Sequence, residues 1–177
     1  MKPRARTMKS KSKADFYLYA IAHNIRSLHN VGSLFRTADA AGVSKLFLTG
    51  YTPAPADRFG QVPKEIAKVA LGAESFVIWQ RSLSLGRVLQ NLKRQNIYII
   101  AIEQDAGASS LFDFDMWKIR TRYAGAAYIV GNEVSGISPR GLKQCDLVLE
   151  IPMRGKKESL NVSVAFGIAA FAFRSRP

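Results

Sequence analysis

Short apolar runs alternate along this chain with segments in which apolar residues recur at helical spacing. Six runs have the length of buried strands. They are 16–22 (FYLYAIA), 45–49 (KLFLT), 74–79 (ESFVIW), 97–102 (IYIIAI), 126–130 (AAYIV) and 147–151 (LVLEI). Most of them are apolar on both faces, which is typical of parallel strands covered by helices on both sides. The pattern predicts a single-domain α/β fold with one parallel sheet and helices on both faces.

The segments between these runs carry the helical periodicity. Predicted helices cover 31–41, 63–70, 82–95, 139–144 and 162–174. In the first, Asn30 occupies the N-cap position and Gly42 follows the last turn. In the third, we expect four residues to face inward: Leu83, Val88, Leu89 and Leu92. The stretch 50–62 is a loop, and 103–123 is mostly loop with a short strand or helix near Trp117.

Two strands end in loops rich in glycine, asparagine and serine. The loop after 126–130 reads GNEVSGIS, and the loop after 147–151 enters the last helix near Asn161. Open α/β sheets bind ligands at such strand ends, where a helix N-terminus often completes the site. The early segment 24–39 adds a polar turn and one arginine, Arg36. We expect these three segments to form one composite site.

The composition indicates that the chain is basic and favours an acidic partner. The 177 residues carry a formal net charge of +13 and are 47% hydrophobic, which allows a sizeable core and suggests a polyanionic ligand. Residues 1–14 form a basic arm whose first thirteen residues hold six lysines and arginines and no acid. This arm is either a phosphate-binding tail, an organellar presequence or a solubilising end.

Cysteine and histidine are too few for several classes of site. Cys145 is the only cysteine, and His23 and His29 are the only histidines, so neither an internal disulfide nor a zinc-finger pattern is expected. No apolar run reaches the roughly 20 residues of a membrane helix. We therefore expect a cytoplasmic protein with no membrane or metal partner.

Three common nucleotide or hydrolase motifs are missing. The sequence contains no G-x-x-x-x-G-K-[ST] and no G-x-G-x-x-G after the first strand. Neither Ser33 nor Ser159 lies in G-x-S-x-G, which gives little support to hydrolase chemistry. The late loops require another interpretation.

Four segments together resemble one known family. They are NIRSLHNVGSLFRTAD at 24–39, KVALGAE at 68–74, VGNEVSGI at 130–137 and IPMRGKKESLNVSVA at 151–165. Three of them are similar, in order and spacing, to the signature motifs of the SpoU/TrmH branch of the SPOUT RNA methyltransferases. The resemblance extends from about Tyr17 to the C-terminus.

This resemblance implies an S-adenosylmethionine-dependent RNA ribose 2′-O-methyltransferase. It also implies a homodimer and a deep trefoil knot at about 126–174, within a methyltransferase domain over 15–177. In the family, the knot loops hold the cofactor largely through backbone groups. The matching positions here are Ile102, Gly131, Ile151, Met153 and Leu160. Ile151 and Leu160 could also be plain core residues.

The catalytic set that the resemblance implies is Asn30, Arg36, Glu133, Ser159 and Asn161. Arg36 is either the base that removes the 2′-hydroxyl proton or a positioning group for ribose and phosphate; its high pKa favours positioning. Glu133 orders the cofactor loops and could meet Arg36. Both asparagines, like Ser159, could instead cap helices. His29 is a poorer match to the catalytic set.

The substrate is not defined by these motifs. Transfer RNA and ribosomal RNA both remain open, as does the identity of the modified nucleotide. Two other classes remain: a non-catalytic RNA-binding protein with the same fold, and an enzyme acting on a small nucleotide or metabolite. The intact polar set argues against the first, and the net charge of +13 argues against the second.

Overall fold

A computed structural model describes residues 16–56 and 59–174. The predicted basic arm at 1–14 lies outside these residues. In the part described, seven strands form one sheet in which every neighbouring pair is parallel. The sheet order is β3-β2-β1-β6-β4-β7-β5. The predicted α/β architecture with one parallel sheet is therefore confirmed.

The strands are short, and all except β3 and β5 follow the apolar runs of the sequence. Their bounds are β1 Tyr17–His23, β2 Lys45–Thr49, β3 Trp79–Ser82, β4 Ile97–Ile102, β5 Ser109–Ser110, β6 Gly125–Val130 and β7 Leu147–Glu150. The helices are α1 Leu28–Ala40, α2 Lys64–Ala70, α3 Leu85–Arg94, α4 Met116–Arg120, α5 Pro139–Leu142 and α6 Val162–Arg174, with a 3-10 turn at Ala73–Ser75.

Alternate residues of the central strands face two separate parts of the core. On β4, Ile100 and Ile102 pack with residues of α1, α2, α4 and α6. Ile97, Ile99 and Ala101 face the other side, where they pack with residues of α3. The sheet is thus covered on both faces, as the near-continuous apolar strands predict.

The first helix begins earlier than its apolar period suggests. Ser27 is the N-cap, and its hydroxyl accepts from the Asn30 backbone N–H at 3.2 Å. The predicted N-cap role of Asn30 is therefore wrong, since this residue lies within the first turn and its side chain is free for other contacts. Gly42 ends the helix as predicted, with a φ of +66° that suits glycine.

Two further predictions, on the segment 74–79 and on Leu83, are also wrong. The run at 74–79 is not a strand: residues with positive φ at Leu71 and Gly72 lead into the 3-10 turn, and β3 starts only at Trp79. Leu83 was expected to face inward on the third helix. It precedes that helix, which begins after the N-cap Ser84, and its side chain is 81% exposed.

Candidate active site

The loops that follow β4, β6 and β7 surround one cavity at the carboxyl edge of the sheet. Its volume is about 250 Å³. The lining residues come from the ends of the three strands, from the segments 131–136 and 151–160, and from the start of α6. They are Ile102, Glu103, Gln104, Val130, Gly131, Asn132, Glu133, Val134, Gly136, Ile151, Met153, Glu158, Ser159, Leu160, Val162 and Ala165. Two of the three segments expected to form one site therefore line this cavity, whereas no residue of the early segment 24–39 does so.

All five residues proposed to bind the cofactor line this cavity: Ile102, Gly131, Ile151, Met153 and Leu160. Ile102 is buried at the end of β4, whereas Ile151 and Met153 are half-buried. Leu160 is 37% exposed, so core packing does not explain it. These five residues thus give the cavity apolar walls, which alternate with polar groups of the loops.

Gly131 allows the chain to fold closely upon itself at the end of β6. A Cβ atom at this position would lie 2.5 Å from the Gly136 carbonyl carbon and 2.7 Å from the Ile137 nitrogen. Both neighbours are backbone atoms, which cannot move aside without displacing the loop. Glycine is therefore required here by a close approach, and the segment 131–137 forms a tight wall of the cavity.

Glu103, which sequence reasoning did not single out, holds this wall in place. One of its carboxylate oxygens accepts from the Ile137 N–H at 2.8 Å, and the other accepts from the Gln104 N–H at 3.1 Å. Hydrogen bonds to a charged acceptor are stronger than those between neutral groups. The end of β4 is thereby tied to the loop after β6. Only its place directly after an apolar strand could have indicated this residue.

Asn132 is a second residue that the sequence analysis missed. Its side-chain amide is buried and donates to the Asn24 carbonyl oxygen at 3.0 Å and to the Tyr51 hydroxyl at 2.9 Å. Its oxygen accepts from the backbone N–H groups of Val134 and Ser135 at 2.8 and 2.9 Å. This one side chain therefore joins the loops after β1, β2 and β6.

Three of the predicted catalytic residues form a chain of hydrogen bonds at the edge of the cavity. Asn161 donates to the Asn30 side-chain oxygen at 3.3 Å, and Asn30 donates to the Glu133 carboxylate at 2.7 Å. Asn161 also accepts from the Ser163 N–H at 2.8 Å, which is the contact of a helix N-cap. Capping and the link to Asn30 therefore coexist at Asn161. The chain connects α1, the loop after β6 and the start of α6.

Arg36 is placed differently from the other predicted residues. It is exposed on α1 and does not line the cavity. The expected contact between Glu133 and Arg36 is not present in the part of the chain described, because Glu133 accepts from Asn30 instead. Ser159 is exposed and lines the cavity. His29 is exposed in the first turn of α1 and does not line the cavity.

The charges around the cavity are acidic, although the whole chain is basic. Three carboxylates line it, those of Glu103, Glu133 and Glu158, and no lysine or arginine does so among the described residues. Such a lining suits a ligand with an apolar ring and a positive charge. It disfavours a polyanion.

The model of the SpoU rRNA Methylase family matches residues 17–171. The chain belongs to the SpoU rRNA methylase family. The match includes all four segments on which the resemblance was based.

Two solved structures share the fold. An AdoMet-bound rRNA methyltransferase from Sinorhizobium meliloti has a TM-score of 0.78 and 24% identity over 90% of this chain and 56% of that one. The TrmH/SpoU tRNA modifying enzyme of A. aeolicus has a TM-score of 0.75 and 26% identity, with 92% and 76% coverage.

A curated SpoU relative is more similar in sequence. It is the 23S rRNA (guanosine-2′-O-)-methyltransferase RlmB of Neisseria meningitidis serogroup B, which is 34% identical over 151 residues. The alignment covers 85% of this chain and 55% of that protein. The chain therefore spans little more than half the length of this relative.

No helix in residues 16–56 or 59–174 is long and apolar enough to cross a membrane.

Proposed function

We propose that this protein transfers a methyl group from S-adenosylmethionine to a ribose 2′-hydroxyl of structured RNA. The observation that carries the proposal is the cavity at the ends of β4, β6 and β7, with the hydrogen-bonded chain from Asn161 through Asn30 to Glu133 at its edge. Membership of the SpoU family and similarity to a ribose methyltransferase support the same activity.

The cavity suits S-adenosylmethionine in its chemistry. Ile102, Ile151 and Leu160 offer apolar walls for an adenine ring, and the loop backbones offer donors and acceptors for its edge. The carboxylates of Glu103 and Glu158 provide acidic surroundings for the cationic groups of the molecule. When bound, S-adenosylmethionine supplies an electrophilic methyl group. The residues of the chain hold and align the acceptor ribose.

Alignment is the main contribution expected of these residues. A methyl transfer from a sulfonium to an oxygen disperses charge, so fixing the reactants in line could provide roughly 7–11 kcal/mol. Asn30 and Asn161 fix the loops on either side of the cavity mouth through their mutual hydrogen bond. Ser159, exposed at the same mouth, is available to bind the nucleotide.

Arg36 is assigned to the ribose and its phosphate as a positioning group. A planar guanidinium can hold two oxygens at once, whereas arginine side chains stay protonated in proteins and so make poor bases. Since Arg36 does not line the cavity of its own protomer, we propose that it serves the cavity of a second copy. This assignment requires a homodimer.

An apolar stripe on α6 supports the homodimer. Val164 is 48% exposed, Phe171 is 51% exposed and Ile168 between them is half-buried. Their spacing of four and three residues places them on one face of the helix. The helix also packs against α1, which carries Arg36. A second copy covering this stripe would bring its own Arg36 close to the interface.

The finer features of the fold belong to the same proposal. We propose that the segment at about 126–174 forms the deep trefoil knot of the SPOUT fold, within a methyltransferase domain over 15–177. The sheet order supports it, because β7 lies on the far side of β4 from β6 and the chain must then return to place α6 against α1. We also place the protein in the cytoplasm, in keeping with its single unpaired cysteine.

The substrate is either ribosomal or transfer RNA. The Neisseria relative is named for 23S rRNA and the A. aeolicus structure for tRNA modification. The experiment is transfer of a tritiated methyl group to ribosomal and transfer RNA fractions from a strain that lacks the gene, followed by mass spectrometry of the labelled nucleotide. Label in a 2′-O-methylribose supports the proposal. Binding of both fractions without any label would favour a non-catalytic RNA-binding protein, and label on a small nucleotide alone would favour a metabolite enzyme.

A further inference from the structure

A second cavity lies at the same edge of the sheet, between the starts of α3 and α5. Its volume is about 510 Å³. The lining is polar and contains two arginines, a histidine and two glutamines. Its residues are His23, Ser84, Leu85, Gly86, Arg87, Gln90, Ser138, Arg140, Gly141 and Gln144. Among the described residues, no carboxylate contributes to this lining, in contrast to the acidic cavity of the proposed cofactor site.

The two arginines have no partner among the described residues. Arg87 and Arg140 are both exposed, and neither guanidinium makes a hydrogen bond or ion pair in the part of the chain that the structure describes. Unpaired arginines that converge on an acid-free concave surface produce a local positive potential. Such a surface favours an anion with several oxygens, because each guanidinium can bind two of them.

The position of Arg87 in its helix strengthens this interpretation. The Ser84 hydroxyl caps α3 by accepting from the Arg87 backbone N–H at 3.2 Å, which makes Arg87 the third residue of the helix. Glutamate or glutamine is favoured at this position, and a cation there opposes the helix dipole. A residue that breaks a local rule without a compensating contact is expected at a functional site.

Gln144 and His23, which also line the cavity, already have partners among the described residues. Gln144 donates to the Arg140 carbonyl oxygen at 3.0 Å, which ties the C-terminal end of α5 to its first turn. His23 is held neutral by its surroundings: burial lowers its pKa, and its ring nitrogens contact the Thr49 hydroxyl at 2.9 Å and the Asn24 amide at 3.2 Å. The positive charge of the cavity therefore comes from the two arginines.

The cavity is a neighbour of the proposed cofactor site. The segment 131–142 lines the cofactor cavity with its first half and the basic cavity with its second half. Asn24, adjacent to His23, accepts at its carbonyl from Asn132 of the cofactor cavity. A polyanion attracted to the basic cavity would thus lie next to the mouth of the acidic one.

We propose that the basic cavity binds a backbone phosphate of the substrate RNA and so positions the strand across the carboxyl edge of the sheet. This inference rests on the proposed function. Arg87 and Arg140 hold the phosphate oxygens, and Gln90 and Gln144 border the same space. The protein thereby separates its charges: carboxylates surround the cofactor cavity, and arginines bind the RNA beside it.

The test is the double variant Arg87→Ala/Arg140→Ala, with Arg94→Ala/Arg122→Ala as the matched control. The control removes the same two charges at the opposite edge of the sheet, where Asn96 of the α3–β4 turn donates to the Arg122 carbonyl oxygen. Binding to purified transfer RNA and ribosomal RNA fractions is measured by anisotropy over a range of salt concentrations. Affinity for S-adenosylhomocysteine is measured by calorimetry.

The cavity variant should lose its phosphate contact. The slope of log affinity against log salt should fall by roughly 0.7–0.9, which corresponds to roughly 5- to 8-fold weaker binding at about 0.1 M salt relative to a 1 M reference. The control should change the slope far less, and the affinity of both variants for S-adenosylhomocysteine should equal that of the wild type. Arg87→Lys/Arg140→Lys, which keeps both charges, should retain most of the slope. The melting temperature of the alanine variant should not fall, since a cation is removed from a helix N-terminus.

Several outcomes would overturn the inference. One is a salt slope that falls no further in the cavity variant than in the control. Another is arginine-dependent binding of inorganic phosphate with unchanged RNA binding, which would make the occupant a small free anion. Arginine-dependent RNA binding without any methyl transfer would refute the proposed function but support the RNA site. Methyl transfer with an unchanged salt slope would support the proposed function but refute the RNA site.

Discussion

Gly131→Ala tests whether the loop after β6 is a rigid wall of the cofactor cavity. The added methyl group would lie 2.5 Å from the Gly136 carbonyl carbon, 2.7 Å from the Ile137 nitrogen and 2.8 Å from the Gly136 oxygen. Ordinary carbon contacts are about 3.5–4.0 Å, so the loop would have to move by about 1 Å. The obstacle is the backbone of Gly136 and Ile137, and no side-chain rotation can relieve it.

The magnitude follows from what that displacement would break. The Ile137 N–H donates to the Glu103 carboxylate at 2.8 Å, a contact to a charged group that contributes about 1.5–3 kcal/mol. Overpacking of a tight site costs about 1–3 kcal/mol in its own right. Because both effects come from one displacement they overlap, and we expect a loss of about 2–4 kcal/mol. For a protein of this size, that lowers the melting temperature by roughly 4–16 °C.

The assays are thermal unfolding and calorimetric binding of S-adenosylhomocysteine. Gly155→Ala is the matched control, because Gly155 lies in the other loop of the same cavity region and a Cβ there would have no atom within 4 Å. The control should melt and bind like the wild type, whereas Gly131→Ala should melt lower and bind at least tenfold more weakly. If the two variants melt and bind S-adenosylhomocysteine alike, the loop after β6 can yield to a methyl group. The close approach would then not require glycine at position 131.

Three further predictions concern single side chains. Arg36→Lys should lose methyl transfer nearly as completely as Arg36→Ala while S-adenosylhomocysteine binding survives; substantial lysine activity that rises with pH would instead identify the residue as a base. Tyr128→Phe should raise the unfolding free energy by about 1 kcal/mol, because the Tyr128 hydroxyl is buried without a hydrogen-bond partner among the described residues; an unchanged or lower denaturant midpoint would contradict this. Burial lowers the pKa of His23, so the unfolded chain binds the proton more readily and stability should fall as the pH drops below about 6.5; in His23→Asn this fall should be shallower, as measured by melting temperature against pH.

The sequence predicted the central strands well because their burial leaves a simple signal. The bounds of β2 and β4 agree with the apolar runs, since both faces of these strands are covered. The edge strand β3 was predicted wrongly. It has a single strand neighbour, and the apolar run assigned to it is partly exposed, with Phe76 78% and Ile78 65% accessible. Apolar content alone could not distinguish that surface turn from a strand.

The candidate site was likewise predicted only in part. The cavity walls were predicted because they are strand ends within recognisable motifs, and their position follows from the parallel sheet. The contacts of Glu103 and Asn132 were not predicted, because they join loops that are far apart in sequence. Asn132 reaches a residue 108 positions away. A buried amide with such partners has no local pattern, and only the folded arrangement of the three loops reveals it.

The position of Arg36 makes one last prediction, on whether the active site is shared between subunits. Arg36 is exposed on α1, away from the cavity of its own chain, while α1 packs against the helix that carries the apolar stripe of Val164 and Phe171. If Arg36 serves the partner's cavity, a dimer of one Arg36→Ala chain and one Gly131→Ala chain contains one complete site, formed by the first chain's cavity and the second chain's arginine. At a cofactor concentration too low to fill the Gly131→Ala cavity, random mixing of the two variants should then restore about a quarter of wild-type activity, since half of the dimers are mixed and each has one site of two. If Arg36 serves its own cavity, the mixed dimer has no complete site and activity stays at the level of the single variants. Native mass spectrometry of the mixture, which resolves the mixed dimer by its mass, verifies that the subunits have exchanged, so that continued inactivity counts against the shared site.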